Sequence, residues 1–566
     1  MLPPYEHDYC ISKEIRFDLN LNTLTPSSIQ HPASCYVLFL IIAASLLFTS
    51  CTNNTENTND HLVFRYNEHS NIASLDPAFA RNPQTIWPTN QLYNGLVQLD
   101  DQLNVQPDIA KSWEIVDSTC TFYFTLRDDV FFHRNKVFGS DSTRRVVAAD
   151  FEYSFSRLQD PDVASPGSWV MQNVEMVKAE NDSVLKIMMK KPFPPFLGML
   201  SMRYFSVVPK EAVDFYGNSF RRNPVGTGPF LFKRWEENVK LIFRKNPLYF
   251  ETDESGNQLP YLEAVAITFL PDKQSEFLQF AQGKIDFMSG LDNSYKDEII
   301  TTTGKLQPTY QNSVNLITTP YLNTEYLGFF IPTQTTEIQS QKLRQAINYG
   351  FDRVKMVKYL RNGMGIPAVH GVIPKGLPGF DAIEGYSYQP EKARNLIAEY
   401  MSETGDTSPE ITIGTNSQYL DVCEYIQREL EKLGIQVEID VMPPSTLRQM
   451  KSSGELDIFR ASWIADYPDA ENYLSLFYSG NFTPNGPNYT HYKNEVFDSL
   501  YLTAQNISNI DDRKQLYTKM DSIVVSDAPV VPLYYDMAVR FVQKNVSGLG
   551  INPQNFLFLK RVKKTK

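Results

Sequence analysis

The chain is short of cysteine, short of histidine and without any basic surplus, and each shortage excludes something. Its five cysteines include no C-x-x-C pair, so neither a redox dithiol nor a zinc ribbon is expected. Its seven histidines do not cluster at metal-ligand spacing, and there is no H-E-x-x-H helix and no G-x-S-x-G elbow. Metalloprotease and serine-hydrolase chemistry therefore lack their usual signatures. Scattered acids leave a glycosidase pair open, because two carboxylates distant in sequence can meet in a fold. Lys and Arg number 53 against 65 Asp and Glu, a net charge of −12. That balance excludes a nucleic-acid partner, since phosphate binding needs basic surface. What the chain does have is aromatics, 13% of all residues, which build cores and also line ligand clefts. With 566 residues it exceeds one ordinary core, so more than one domain is expected.

The N-terminal segment is read separately from the fold. Tyr36 to Ser50 is uncharged and apolar, yet shorter than the roughly 20 residues that span a bilayer comfortably. It ends in Phe48-Thr49-Ser50-Cys51, which resembles a bacterial lipobox, and a polar tether without core-forming residues follows over 51–60. Cys51 is accordingly the expected lipidation site. Phe48 stands where a branched aliphatic is usual, and no Lys or Arg lies between Phe17 and the apolar run. Residues 1–50 therefore read as a signal with an atypical extension or a mis-called start; a single transmembrane anchor is the alternative. Of the remaining cysteines, Cys120 and Cys423 are expected to be buried thiols.

From His61 the pattern is globular. Leu62 to Tyr66 alternates like a strand, and Thr85 to Asn94 reads as a helix with Pro88 in its first turn and Gly95 as its stop. Phe122 to Phe132 reads as an alternating strand, and Val147 to Phe155 opens a helix. Lys191-Pro192-Phe193 precedes another helix, and 223–230 is a Gly- and Pro-rich turn, Asn-Pro-Val-Gly-Thr-Gly-Pro-Phe. That turn lacks the Lys-Ser/Thr of a phosphate loop, and Pro229 removes a donor, so its glycines are expected to serve a crossing between domains. Ser340 to Ile347 has helical apolar spacing. Ile411 to Gly414, the helix Tyr419 to Leu433, Gly434 and Val437 to Val441 make a β-α-β unit and hence a mostly parallel sheet. Glu455 to Phe459 reads as a strand delivering Arg460, Trp463, Asp466 and Tyr467 into a turn ended by Pro468. Such a cluster suits a small-molecule cleft or a capped turn. Helices are expected over 494–505 and 511–524, a strand from Pro529 to Tyr535, and a solvated basic tail from Lys560.

Four motifs stand in order near the start: Gly95-Leu96, then Pro107-Asp108-Ile109-Ala110-Lys111-Ser112-Trp113, then Phe124-Thr125-Leu126-Arg127, then Ala148, Asp150 and Ser154. With the 223–230 turn and Lys245-Asn246-Pro247, this order resembles the extracytoplasmic solute-binding proteins of peptide-type ABC transporters over roughly 61–555. Between strand and helix, His133 to Arg145 is longer and more basic than the family's short turn and is expected to be an altered surface loop. Phe330 stands where an asparagine is common.

The resemblance implies an α/β, periplasmic-binding-protein-like (class II) fold, with two lobes joined by a hinge plus an inserted third domain. It assigns 61–99, 222–320 and 529–566 to lobe I, 100–221 to the inserted domain and 321–528 to lobe II. It implies capture of a peptide ligand, with delivery to permease subunits by a lipid-anchored monomer at the cell envelope, and no cofactor, metal or catalysis. Nickel chelate, haem or oligosaccharide is the alternative cargo. Asp466 matches the aspartate that meets the ligand's α-amino group in the family's R-A-x-W-x-A-D-Y segment. Arg460 matches a basic residue that either meets the ligand carboxylate or forms an internal salt bridge. Trp463 either walls a side-chain pocket or belongs to the core, and Tyr467 completes the segment. Asp536 replaces a tyrosine that often follows Tyr534-Tyr535 and either favours a basic ligand or faces water.

Overall fold

The computed structural model describes residues 62–116, 120–380 and 382–565. The lipobox, Cys51 and the 51–60 tether lie outside the described residues. The architecture is α/β, built on an 11-stranded sheet. Its order is Gln436–Val441, Glu410–Thr415, Ile458–Ile464, Val314–Phe329, Val530–Gln543, Phe287–Ser289, Val63–Glu68, Ala264–Phe269, Lys240–Lys245 and Phe230–Glu236, with Ile366–Pro367 off this path.

The two long antiparallel strands at its centre organise the molecule. Val314 to Pro320 pair with Gln543 back to Met537, and Thr324 to Gly328 pair with Tyr535 back to Val530, with the register broken between Pro320 and Thr324. Pro320 has no amide to give the ladder, so a break is placed where one donor is already missing. One end of the pair continues into Phe287–Ser289, the other into Ile458–Ile464. The strand expected to return to lobe I at 529 therefore begins beside Leu327 and Gly328 and reaches Phe287 only at Val542. Sequence could not place that crossing, because a strand reads alike on either side of a cleft.

A second, four-stranded antiparallel sheet is made by Ala110–Val116, Thr121–Leu126, Val184–Met189 and Val174–Asn181. Phe122, Phe124, Leu185 and Ile187 face one core, shared with the helix Ala148–Gln159 through Phe151 and Phe155. The expected β-α-β unit is present: Glu410↔Gln436 to Thr415↔Val441 run parallel around the helix Leu420–Glu431. Its Val422, Cys423, Ile426 and Leu430 are buried at helical spacing, so the Cys423 thiol serves packing. Cys120 is only partly buried, short of the expectation.

Four local expectations change. The helix over 85–94 runs instead over Pro83–Leu92, because Asn82 and Thr85 form a reciprocal cap two residues earlier; Pro88 consequently sits inside it. The strand expected at 455–459 is Ile458–Ile464, so Arg460 and Trp463 ride on the strand and not on the turn after it. The 133–145 segment is at the surface, exposed or half-buried from Arg134 to Arg145, but it is pinned down rather than free. His133 is buried, its ring nitrogens bonded to the Gly226 amide at 3.3 Å and the Gly228 carbonyl at 3.0 Å, and burial lowers its pKa to about 4, leaving it neutral. Arg144 reaches Asp150 and Glu211, each at 2.7 Å. The basic tail is solvated only in part: Arg561 and Lys563 are exposed, while Lys564 forms a buried pair with Asp286 at 2.9 Å and Lys560 meets Glu251 at 2.7 Å.

The 223–230 turn shows why glycine is needed there. The Gly228 amide donates to Leu92 O at 2.9 Å, and a Cβ on Gly226 would lie 2.1 Å from that same carbonyl oxygen. No other residue allows that approach. The turn thereby locks the helix Pro83–Leu92, which borders the cleft, against the strand beginning at Phe230.

Candidate ligand-binding cleft

A cavity of about 780 Å³ is walled on one side by residues from 80–87 and 166–204 and on the other by 463–489, with Tyr321 and Gln554 to Phe556 closing it. That volume lies in the range of small-molecule pockets and suits a short extended ligand. The wall is aromatic, with Trp87, Trp169, Phe193, Tyr204, Trp463 and Tyr489 among its residues.

Asp466 lies on this wall, partly exposed to the cavity. The strand Ile458–Ile464 delivers it, and Asn472 holds the turn: its Oδ1 accepts from the Asp466 amide at 3.1 Å and from Trp463 Nε1 at 2.9 Å. Burial pushes the Asp466 carboxyl up to about 6, against a hydrogen bond with Asn472 that lowers it. Among the described residues no cation pairs with it. Trp463 lines the cavity and, partly buried, packs against the core of that half of the molecule. Tyr467 contributes its ring, edge-on to Phe193 of the opposite wall at 6.2 Å. Its hydroxyl donates to Glu471, which also accepts from Tyr501; burial raises the Glu471 carboxyl to about 7.

Arg460 and Asp536 do not reach the cavity. Arg460 is buried, ion-paired with Glu325 and stacked over the Tyr419 ring. Burial alone would lower its pKa, but Glu325 and its neighbours raise it. The guanidinium is thus consumed internally: on the neighbouring strand Leu327 stands opposite Arg460, and Glu325, two residues along and opposite Ser462, reaches it diagonally. Asp536 pairs with Arg361 at 2.9 Å, so it neither faces water freely nor meets a ligand. For Arg460 this is the internal salt bridge, one of its two expected readings; for Asp536 the partner is Arg361, which ends the helix Arg353–Leu360, and neither partner is visible from the residue's own segment. Phe330 packs against His491 with the rings tilted by 57° and 5.1 Å between centroids, away from the cavity lining.

Several lining residues were not anticipated. Arg81 lies just before the helix Pro83–Leu92, and Lys191 begins the noticed Lys-Pro-Phe motif. Arg203 sits in the short turn Arg203–Phe205, donating to Ser201 O at 3.0 Å and Tyr93 O at 3.4 Å. Tyr204 next to it is raised to about 12 by burial and then by Asp466, with Arg81 acting the other way. Only the Lys-Pro-Phe motif carried a local signal. Among the described residues no group of three or more His, Cys, Asp or Glu could hold a metal ion, and no helix is long and apolar enough to cross a membrane.

An aromatic cleft whose wall carries a carboxylate without a cation among the described residues suits the binding of a ligand. The model for the bacterial extracellular solute-binding proteins, family 5, matches residues 104–485, and the chain belongs to that family. It is 25% identical over 555 residues to the periplasmic oligopeptide-binding protein OppA of Salmonella typhimurium, covering 93% of this chain and 97% of the relative. It is 24% identical over 490 residues to the glutathione-binding protein GsiB of Salmonella typhi, covering 86% and 91%. The structure matches the periplasmic binding protein DppA of Helicobacter pylori in complex with the peptide STSA, at a TM-score of 0.73 and 25% identity, over 89% of this chain and 98% of the other. Proteins of this family bind solutes and are not enzymes.

Proposed function

We propose that this chain captures peptides in the 780 Å³ cavity and delivers them to the permease of an ABC importer, without catalysing a reaction. The observation that carries the reading is Asp466, a carboxylate on the cavity wall with no cation of its own. It is a counter-ion for the ammonium that every unblocked peptide carries. Relatives named for oligopeptide and glutathione binding support a peptide cargo. Such a charge-assisted contact contributes roughly 1.5–3 kcal/mol and sets register while side chains vary. Calorimetry on a pool of short peptides tests it: Asp466→Asn is expected to weaken binding about 10- to 100-fold, and unchanged affinity would remove Asp466 as the anchor.

The finer statements belong to the same proposal. Lobe I takes 61–99, 222–320 and the chain end, with Val530–Gln543 shared; 100–221 is the inserted domain and 321–528 is lobe II. The lobes close about the central strand pair when ligand binds. Cys51 carries the lipid and 51–60 tethers a monomer to the envelope. A fatty-acid probe should label the protein but not Cys51→Ala; equal labelling of both would refute the anchor.

A further inference from the structure

Two buried amide side chains hold the peptide groups on either side of Asp466. Asn472 accepts the Asp466 N–H on its Oδ1 at 3.1 Å, and Gln554 donates its Nε2 to the carbonyls of Asp466 and Ala465, each at 3.3 Å. The two side chains belong to residues only 3% and 5% exposed. Asn472 lies in the segment that directly follows the turn, but Gln554 comes from the chain end, 88 positions beyond Asp466. Its own backbone has little freedom. Asn552 Oδ1 accepts from the Gln554 and Phe556 amides, both at 3.1 Å, and the Leu322 amide donates to Pro553 O at 2.7 Å. Buried Arg540 grips the next residue, donating to Asn555 Oδ1 at 3.1 and 3.0 Å. The two carbonyls beside one end of the Gln554 amide fix which end is nitrogen, since only an N–H can donate to them. Its Oε1 is buried without a hydrogen-bond partner among the described residues. A partnerless acceptor is desolvated without return, so what favours glutamine here is the pair of bonds its Nε2 makes to the turn. With its N–H and C=O both held, the backbone of Asp466 is fixed, and with it the direction in which the carboxylate leaves the chain.

We propose that Gln554 is a positioning residue for ligand capture: it holds the turn so that the Asp466 carboxylate is already aimed when a ligand ammonium arrives. This rests on the peptide reading above and deepens it by naming a residue that acts through Asp466. An anchor left free to swing must be ordered at the moment of binding, which lowers affinity. A double-mutant cycle separates this role from a general one. Isothermal titration with a random tripeptide pool would be run on the unaltered chain, on Gln554→Met, on Asp466→Asn and on the double variant. Methionine is of similar length and lacks the donor. Gln554→Met is expected to weaken binding about tenfold on the unaltered chain, and by less than about twofold where Asp466→Asn already stands. A glutamine that only filled space or stiffened the fold would cost the same in both backgrounds. Equal costs, or no cost on the unaltered chain, overturn the proposal and leave the peptide reading intact. Should Gln554→Met give no cooperative melt by circular dichroism, Gln554→Asn, which is shorter and falls short of the two carbonyls, replaces it with the same expectations. If the pool does not bind the unaltered chain, the peptide reading falls; if Asp466→Asn leaves its affinity unchanged, the anchor falls; in either case this proposal falls with it.

Discussion

At the residue scale, two carboxylates show how burial alone changes what an acid can do. Asp466 is raised to about 6 mainly by burial. A ligand ammonium needs the ionised form, so peptide affinity should hold above pH 6 and decline by about tenfold per pH unit well below it; a flat titration profile between pH 5 and 7 would contradict this. Asp521 is raised to about 7 by burial, its carboxylate accepting from the Val372 amide at 2.9 Å. A folded-state pKa above the unfolded value of about 4 means the folded chain binds the proton more tightly. Its contribution is therefore complete below about pH 4 and is lost as pH rises towards 7. Asp521→Asn should flatten that part of the stability profile measured by urea unfolding. Glu325 offers a contrast. It is 2% exposed and is the partner of buried Arg460, so Glu325→Gln strands a charge and is expected to cost about 3–5 kcal/mol. A loss below 1 kcal/mol would mean that water reaches the pair.

At the element scale, regular segments were legible wherever one residue's neighbours in sequence decide the outcome. The helix 341–349 starts at Ser340, whose side chain accepts from the Leu343 amide, and Asn494 caps the helix Glu495–Ala504. The failures come from partners elsewhere. The tail looked solvated because seven terminal residues are mostly basic, but Lys564 pairs with Asp286, both about 5% exposed. Replacing it removes the buried cation that meets Asp286 and leaves the Arg65 amide at 2.7 Å and the field of the Arg65 guanidinium. Lys564→Met is accordingly expected to lower stability by roughly 3 kcal/mol, read as an earlier denaturant midpoint at unchanged slope. The same logic explains Arg460. Its segment advertised a binding cation, and the neighbouring strand had already supplied its counter-ion.

At the scale of the whole molecule, the central strands Val314–Phe329 and Val530–Gln543 are continuous through both halves of the sheet, with their register broken near the cleft. A proposed closure about that break makes ligand and compactness interdependent, because a ligand held by both walls favours the state in which both touch it. Adding a binding peptide is expected to reduce the radius of gyration in solution scattering and to raise the melting temperature, with neither change in Asp466→Asn. A peptide that binds tightly at an unchanged radius would place the closed form already in the free protein.

The sequence by itself determined the family order of motifs, the α/β class and the β-α-β unit, because these rest on local spacing and on composition. It also indicated that no metal or thiol chemistry should be sought. Only the tertiary structure decided which charges remain free to meet a ligand. Arg460 and Asp536 are neutralised by Glu325 and Arg361, residues over a hundred positions away, while Arg81 and Lys191, unremarkable in sequence, come to line the same cavity as Asp466. Whether a charged side chain is a partner or a reader depends on what folds against it, and that is settled by contacts between segments distant in sequence.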